Sequence, residues 1–282
     1  MDTILDFSRI EYLLNPEVLS NKTVTIVGLG SGGAPVCDHL TMNGVGRWHL
    51  FDPDTLDDVN LVKHPRRRAD LGKPKVDVQR SWILDRNPKA MVCSYPEDVV
   101  SSSDFTESVG QSDLVLCCVD NNPVREFIND VCVRQGVSCV TASVFRTGVG
   151  GEVYGYKPKE TGCYRCLQLY ADKTNMNMPD EMIAMTSEEE RHIYGLGEKE
   201  YRASGLSIDI QFISLIQARM ALSVLLLGIA NFPLLKSNWV IFGNRPKHGL
   251  FRSHFQCEQK ILRPQTECIC VQGLQGMTLP PA

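Results

Sequence analysis

The chain has 282 residues, which is enough to bury one large α/β domain with an appended lobe. Its formal net charge of -4 provides no basic field for non-specific nucleic-acid binding, although residues 65–68 form a local basic run. The first twenty residues contain acidic side chains and no uninterrupted apolar stretch, so they resemble neither a secretory signal nor a transit peptide. The apolar run at residues 220–229 is too short to cross a bilayer. We therefore predict a cytoplasmic protein with no membrane crossing and no nucleic-acid partner.

The chain carries eleven cysteines and shows no export signal, which favours reduced thiols over a disulfide framework. Six of them lie in apolar, strand-like or helix-like runs, and we expect them to be small buried side chains. These six are Cys37, Cys93, Cys117, Cys118, Cys132 and Cys139.

The first half of the chain alternates strand and helix patterns. TVTIV at residues 23–27 predicts a strand, GLGSGG a turn and APVCDHLTM a helix. Further strands are predicted at RWHLF, AMVCSY and SDLVLCC, with helices at KPKVDVQRSWILDRN and VREFINDVCVRQG. This alternation predicts a Rossmann-like, mainly parallel sheet with helices on both faces, and a nucleotide-binding core at about residues 20–150.

The pattern changes after residue 158, at the end of a glycine-rich strand segment. VSCVTASVFRTGVGGEVYGYKP predicts strands broken by glycines, and a polar excursion follows at about residues 172–204. An apolar helix is predicted at residues 208–229, and NWVIFGN and LFRSHFQCEQKIL predict late antiparallel strands. We expect one domain at residues 1–275 and a tail at residues 276–282.

The glycine cluster matches the pattern GxGxxG at Gly28, Gly30 and Gly33, between a strand and a helix. Glycines let the backbone approach phosphate, and the helix N-terminus offers amide donors. Asp52, at the end of the second strand, is placed to accept hydrogen bonds from a ribose. These features fit NAD as well as ATP, and a tight glycine turn without ligand is the alternative.

Polar and cationic residues follow Asp52 closely. Asp54, Asn60, Lys63 and Lys75 all fall within about two dozen positions of it. A triphosphate needs several cations for charge neutralisation, whereas a dinucleotide has little use for them. The cluster therefore favours ATP, with a solvated basic loop as the alternative.

Asp120 ends the apolar strand SDLVLCCVD, at the edge of the sheet where ligands of such folds bind. Mg²⁺ prefers one or two carboxylates together with substrate phosphates, so Asp120 is a candidate magnesium ligand. Its alternative role is the N-cap of the helix that follows.

The order of these motifs resembles that of the ThiF/MoeB/HesA family and of the adenylation domains of ubiquitin-activating enzymes, over roughly residues 5–275. The motifs are GLGSGG, DPD, NLVKH, DLGKPK and DNNPVR. The resemblance implies that Asp52 holds the ATP ribose, Lys75 the phosphates, Asn60 and Lys63 the triphosphate side, and Asp120 the Mg²⁺ ion.

Two positions add to the resemblance or depart from it. Arg9 stands where the family has an arginine that reaches the ATP of the partner subunit, which implies a homodimer, with a surface arginine as the alternative. The family usually has Arg-Gln where this chain has Lys63-His64. Lysine retains the charge and loses the bidentate guanidinium.

Two close cysteine pairs form a second constellation, which can supply four thiolates to a tetrahedral Zn²⁺ ion if the pairs meet in the fold. The resemblance implies a structural zinc of this kind, in a zinc-bound lobe away from the ATP. The candidate ligands are Cys163, Cys166, Cys268 and Cys270, and the alternative is that they are scattered free thiols.

The predicted function is ATP-dependent adenylation of the C-terminal carboxylate of a ubiquitin-like or sulfur-carrier protein with a Gly-Gly tail, with release of pyrophosphate. Adenylation of a peptide, a degenerate partner subunit and an NAD-dependent oxidoreductase remain open alternatives. Residues 171–256 contain no cysteine, which favours an enzyme that stops at the acyl-adenylate and passes it to a downstream acceptor protein. Cys257 is the remaining candidate nucleophile, although its strand-like context predicts burial.

Overall fold

The computed structural model describes residues 5–14, 16–174, 205–229 and 231–272. The strands are β1 (Thr23–Val27), β2 (Arg47–Phe51), β3 (Met91–Tyr95), β4 (Leu114–Cys117), β5 (Ser138–Val144), β6 (Gly150–Tyr156), β7 (Trp239–Gly243) and β8 (Gln256–Lys260). The helices are α1 (Pro16–Ser20), α2 (Gly33–Met42), α3 (Lys75–Arg86), α4 (Phe105–Gly110), α5 (Asn122–Gln135), α6 (Tyr164–Thr174), α7 (Ser207–Leu225) and α8 (Ile269–Gln272).

In the part of the chain that the structure describes, the strands form one sheet in the order β3-β2-β1-β4-β5-β6-β7-β8. The five strands from β3 to β5 are parallel, and β6, β7 and β8 continue the sheet in antiparallel pairing. The prediction of a mainly parallel sheet extended by late antiparallel strands is confirmed. The chain proceeds from β1 to β2 on one side and reaches β4 on the other, which makes the carboxyl end of β1 a topological switch point.

Two apolar cores confirm that helices cover both faces. On one face, Leu40 of α2, Ile83 of α3 and Ile213 of α7 belong to one cluster of buried side chains. On the other, Phe105 of α4 and Ile128 of α5 belong to a second cluster that also includes Leu167 of α6. A sheet buried on both faces explains why its central strands are continuous apolar runs.

Local sequence sets the ends of α5. The Asn121 side chain accepts a hydrogen bond from the Val124 amide at 3.2 Å, which caps the N-terminus. Gly136 ends the helix in the left-handed region with φ of 65°, and its amide donates to the Cys132 carbonyl. This strand-cap-helix connection fixes the path of the chain just after β4.

Among the described residues, α7 is the helix long and apolar enough to cross a membrane by length and composition. Within its 18-residue apolar window, 56% is buried against the rest of the chain. It packs on α2 and on the sheet at β5 and β6. The apolar run at residues 220–229 is too short to cross a bilayer, whereas the whole helix is long enough, but this packing favours a core helix over a membrane span.

Some expectations need correction or lie outside the described residues. The polar excursion expected at about residues 172–204 overlaps the end of α6 at Thr174, and residues 175–204 are outside the described part. The tail at residues 276–282 is outside it as well. Burial is correct for Cys37, Cys117, Cys132 and Cys139, but Cys118 is half-buried and Cys93 is exposed. Cys93 is exposed because β3 is an edge strand, and an edge strand has no neighbour on one side.

Candidate functional site

The glycine loop at residues 28–33 connects β1 to α2 at the switch point. Gly28 has φ of +88°, a conformation that side chains rarely adopt, and its amide donates to the Phe51 carbonyl at 2.9 Å. A Cβ atom on Gly28 would lie 2.8 Å from the Cys118 carbonyl oxygen. The loop therefore turns tightly between the ends of β2 and β4.

Two other glycines of the loop have different surroundings. A Cβ atom on Gly33 would lie 1.9 Å from the Gly28 carbonyl oxygen, so α2 begins in direct contact with the loop. A Cβ atom on Gly30 would meet nothing within 4 Å. Among the described residues, none accepts a hydrogen bond from the amides of Gly30, Ser31 or Gly32. The loop and the start of α2 thus present amide donors beside open space, which suits a phosphate group.

Asp52 follows β2 and is 4% exposed. Its Oδ2 accepts from the Leu29 amide at 2.6 Å, and its Oδ1 accepts from the Asp54 amide at 2.9 Å. Burial raises the pKa of Asp52, while the nearby Lys75 ammonium and the two amide hydrogen bonds oppose that rise. Asp52 therefore holds the glycine loop against the end of β2, and each oxygen keeps capacity for a further donor.

Lys75 begins α3 and is 8% exposed. Its Nζ lies 2.5 Å from Oδ2 of Asp54 and 3.9 Å from Oδ1 of Asp52. Asp54 is exposed, so the ion pair stands at the boundary between the buried carboxylate and solvent. An ammonium has three donors, and an incoming phosphate can compete for them with the exposed Asp54 carboxylate.

Asn60 and Lys63 lie in the turn that follows β2. Asn60 ends the short 3-10 helix Asp58–Asn60, and its Oδ1 accepts from the Asp57 amide at 3.0 Å in a capping box. The Lys63 amide donates to the Asn60 carbonyl at 3.0 Å, and the Lys63 side chain is half-buried. Part of the Asn60 side chain therefore stabilises this turn.

Asp120 is exposed in the loop between β4 and α5, on the same sheet edge as Asp52. The alternative N-cap role for Asp120 is wrong, because Asn121 caps α5. Sequence reasoning assigned no role to Arg125, whose Nε donates to the Val119 carbonyl at 3.0 Å and whose Nη1 donates to Oδ1 of Asn122 at 2.7 Å. This buried guanidinium holds both ends of the Asp120 loop. Arg125 is the last residue of the motif DNNPVR, and its place in that motif was the available sequence signal.

The structure does not bring Arg9 to the site within its own chain. Arg9 is exposed in a turn in which the amides of Ile10 and Glu11 donate to the Phe7 carbonyl. The Phe7 ring packs against Gly44, just beyond the C-terminal end of α2, whereas the glycine loop is at the N-terminal end of that helix. Ten helical residues span about 15 Å, so Arg9 belongs to the opposite end of α2.

The four candidate zinc ligands meet in space, although the two pairs are about a hundred residues apart in the chain. Their sulfur atoms all lie within 4.8 Å of one another. Sγ of Cys163 is 3.4 Å from Sγ of Cys268, and Sγ of Cys166 is 3.4 Å from Sγ of Cys270. A tetrahedral site with Zn–S bonds of about 2.3 Å places its sulfurs about 3.8 Å apart. The cluster therefore fits a Zn²⁺ ion, and the second pair fits as Cys-x-Cys.

The cysteine cluster lies at the amino edge of the sheet, across from the glycine loop. Tyr156 ends β6 and pairs with Cys139 near the start of β5, which places it at that edge. Burial, and then the charges of cysteines of the cluster, raise the pKa of Tyr156, so the cluster lies beside this end of β6. The cluster is therefore separated from the loop by the length of the strands.

Cys257 is exposed, so the expectation of burial is wrong. It lies on β8, which is the other edge strand of the sheet, opposite Phe242. Desolvation by neighbouring groups still raises the pKa of Cys257 above that of an ordinary thiol. A raised pKa leaves less thiolate at neutral pH, which disfavours Cys257 as a nucleophile.

The chain is similar in sequence to proteins of one known family. A family model described as ThiF family matches residues 5–257. The ubiquitin-like modifier-activating enzyme 5 of Dictyostelium discoideum is 30% identical over 175 residues, which cover 58% of this chain and 46% of that protein. The sulfur carrier protein ThiS adenylyltransferase of Escherichia coli K12 is 33% identical over 154 residues, covering 53% of this chain and 59% of that protein.

The matched regions span about half the length of these curated relatives. Among solved structures, E. coli MccB with ATP aligns with a TM-score of 0.67 and 18% identity, over 90% of this chain and 67% of that one. At this identity the match establishes a shared fold.

Proposed function

This chain belongs to the ThiF family, and from that premise we propose that it uses ATP to adenylate the C-terminal carboxylate of a ubiquitin-like or sulfur-carrier protein. One observation carries the proposal. A single sheet edge carries the open space over Gly30 with its amide donors, the Asp52–Asp54–Lys75 cluster and the Asp120 loop. A nucleoside triphosphate is bound by amide donors and cations that contact its phosphates, and by a carboxylate that holds its metal ion.

In this proposal the glycine loop and the start of α2 bind phosphate, and Asp52 and Asp54 accept hydrogen bonds from the ribose. Lys75 then exchanges its contact with Asp54 for phosphate oxygens. The free-energy cost of breaking that ion pair is small because Asp54 is exposed to solvent. Asn60 and Lys63 approach the triphosphate from the turn after β2. Charge neutralisation by these groups lowers the barrier to pyrophosphate departure.

Asp120 would hold Mg²⁺, and its exposure and oxygen donors fit such an ion. When bound, the ion would supply positive charge to the phosphate oxygens. Arg125 keeps the Asp120 loop in position through its contacts with Val119 and Asn122. This support holds the chain on both sides of Asp120.

The carrier's terminal carboxylate attacks the α-phosphorus of ATP. A bond forms between a carboxylate oxygen and that phosphorus, and the bond to the bridging oxygen breaks as pyrophosphate leaves. No general base is required, because the carboxylate is already ionised at neutral pH. The residues of the site act by positioning and by charge stabilisation.

We extend the proposal to a homodimer in the cytoplasm. The family resemblance implies that Arg9 contacts the partner's nucleotide, and its position at the far end of α2 from the glycine loop of its own chain is compatible with that role. We also propose that the cysteine cluster holds a structural Zn²⁺ ion, and that residues 1–275 form one domain. The sulfur distances and the burial of the cluster support the zinc assignment.

The reaction is proposed to end at the acyl-adenylate, which a downstream acceptor protein would consume. The crossover region supplies no cysteine between residues 171 and 256. The raised pKa of the Cys257 thiol gives that residue little support as the nucleophile of a thioester step.

The proposal is tested by ATP–pyrophosphate exchange with Mg²⁺ and a panel of ubiquitin-like and sulfur-carrier proteins, each with and without its terminal glycines. We expect exchange that depends on an intact tail. Exchange with a peptide substrate alone would favour peptide adenylation, and ATP binding without exchange would favour a non-catalytic partner subunit. Binding of NAD in place of ATP would favour the oxidoreductase.

Two variants sharpen this experiment. Asp120→Ala should abolish exchange and leave the chain folded, because the side chain is exposed. Asp85→Ala removes another exposed carboxylate, on α3, and serves as the matched control with wild-type exchange. Wild-type exchange by a folded Asp120→Ala variant would show that the assignment of Asp120 is incorrect.

A further inference from the structure

His64 is a buried residue in direct contact with the glycine loop. It is 7% exposed, and its Nε2 lies 2.8 Å from the Leu29 carbonyl oxygen. A carbonyl oxygen is only an acceptor, so Nε2 must carry the proton and donate. The ring is therefore the Nε2–H tautomer when neutral, with Nδ1 unprotonated.

Leu29 is consequently held on both of its peptide groups. Its amide donates to Oδ2 of Asp52 at 2.6 Å, and its carbonyl accepts from His64. These two contacts come from different segments, one at the end of β2 and the other in the turn that carries Asn60 and Lys63. His64 is thus the side chain that connects this turn to the glycine loop.

The planarity of the peptide bond extends the effect to Gly30. The Leu29 carbonyl and the Gly30 amide share one trans peptide plane, in which C=O and N–H point in opposite directions. Holding the carbonyl toward the buried His64 ring therefore turns the Gly30 N–H away from it. Gly30 borders open space, and among the described residues none accepts from its amide.

We propose that His64 is a positioning residue for phosphate binding, which holds the Leu29–Gly30 peptide so that the Gly30 amide points to the nucleotide. The inference rests on the proposed ATP site and deepens it, because it assigns the orientation of one phosphate donor to a residue outside the glycine motif. A loop without this contact can rotate the same peptide and withdraw the donor.

The backbone of His64 is fixed by its own turn. Its amide donates to the Asn60 carbonyl at 2.8 Å, and its carbonyl accepts from the Arg66 amide at 2.9 Å. The Arg66 guanidinium binds Asp38 and Gln79, which ties the turn to α2 and α3. The ring therefore reaches Leu29 from a rigid support.

The other ring nitrogen, Nδ1, argues against a role for His64 as a general base. Nδ1 is buried and has no hydrogen-bond partner among the described residues. It faces the interior and not the open space over Gly30, and the carboxylate substrate needs no base. His64 therefore acts through Leu29 and does not contact substrate.

Three substitutions separate the hydrogen bond from simple packing. His64→Gln keeps an N–H donor on a side chain of comparable reach, His64→Asn keeps the amide on a shorter side chain, and His64→Ala removes the donor. His49→Gln is the matched control, since His49 is half-buried on β2, has an unpartnered Nδ1 among the described residues, and contacts Tyr95 instead of the loop.

The experiment measures the dissociation constants of Mg-ATP and of adenosine by calorimetry on the full chain, without any carrier. We expect His64→Ala and His64→Asn to weaken Mg-ATP binding roughly tenfold, which is the effect of an orphaned buried carbonyl, and to change adenosine binding less than twofold. His64→Gln should restore Mg-ATP binding to within about threefold of wild type, and His49→Gln should match wild type. If His64→Ala does not fold, the comparison of His64→Gln with His64→Asn decides.

Equal loss of ATP and adenosine binding would overturn the inference, because it would indicate general destabilisation. Wild-type ATP binding by the folded His64→Asn variant, or failure of His64→Gln to rescue, would also overturn it. Absence of Mg-ATP binding by the wild-type chain would overturn the proposed function and this inference together. Binding that is indifferent to residue 64 would overturn this inference alone.

Discussion

Gly33 and Gly30 form a pair of positions at which the same substitution should have different effects. An alanine at position 33 places its Cβ 1.9 Å from the Gly28 carbonyl oxygen, whereas real Cβ contacts essentially never fall below 3.0 Å. The loop must therefore move by about 1 Å relative to α2, because the contacted atom is a backbone oxygen and not the end of a flexible side chain. An overpacked interior of this kind costs about 1–3 kcal/mol in the free energy of unfolding.

The Gly30→Ala variant meets no such obstacle. Its Cβ would have no neighbour within 4 Å, and its φ lies outside the left-handed range, so the free energy of unfolding should stay within about 0.5 kcal/mol of wild type. The added methyl group occupies the space in which phosphate approaches the loop. Loss of one hydrogen bond to a charged group costs about 1.5–3 kcal/mol, or roughly 10- to 150-fold in ATP affinity.

Thermal unfolding and Mg-ATP calorimetry on both variants separate the two effects. For a chain of this size we expect Gly33→Ala to lower Tm by roughly 2–12 °C and Gly30→Ala to leave it within about 2 °C, because 1 kcal/mol shifts Tm by about 2–4 °C. Gly30→Ala should nevertheless bind ATP more weakly, by roughly 10- to 150-fold. A wild-type Tm for Gly33→Ala, or wild-type ATP affinity for Gly30→Ala, would refute this reasoning.

Four further predictions address other parts of the molecule. Lys75→Met should reduce pyrophosphate exchange by about 100-fold or more while the fold persists, as measured by exchange and circular dichroism. Chelation, or Cys166→Ser, should remove one zinc per chain by metal analysis and lower Tm by roughly 10 °C; no bound zinc in the wild type would contradict the site. Cys257→Ser should leave exchange unchanged, and a reducible thioester with the carrier would contradict this. Burial lowers the pKa of His64 to about 4, so protonation favours the unfolded chain and the free energy of unfolding falls as the pH drops from 6.5 toward 4. The His64→Gln variant has no such group. Between pH 7 and pH 5 its free energy of unfolding, measured by urea titration, should therefore fall by about 2 kcal/mol less than that of wild type.

The two edge strands illustrate where sequence patterns fail. β3 and β8 have apolar or strand-like patterns, from which burial of Cys93 and Cys257 was predicted. Both thiols are exposed because these strands end the sheet. A strand's sequence specifies its own conformation, whereas the presence of a neighbour depends on the order in which all strands assemble.

The site residues show the same division. Gly28, Asp52 and Asp120 were found from sequence because each follows an apolar strand, and parallel strands bring their carboxyl ends to one edge. Contacts within that edge could not be predicted in the same way. The hydrogen bond from His64 to Leu29 joins residues 35 positions apart, and no local periodicity encodes it.

The sequence alone determined the alternation of strands and helices, the glycine loop and the residues that end the strands, because these depend on periodicity and on turn chemistry within a few positions. Only the tertiary structure decided that Lys75 pairs with Asp54, that Arg125 holds the Asp120 loop, and that Arg9 lies away from its own loop. It also brought the two cysteine pairs together across about a hundred residues. Such contacts depend on the packing of whole elements, which is set by the burial of their faces and not by the neighbours of any one residue.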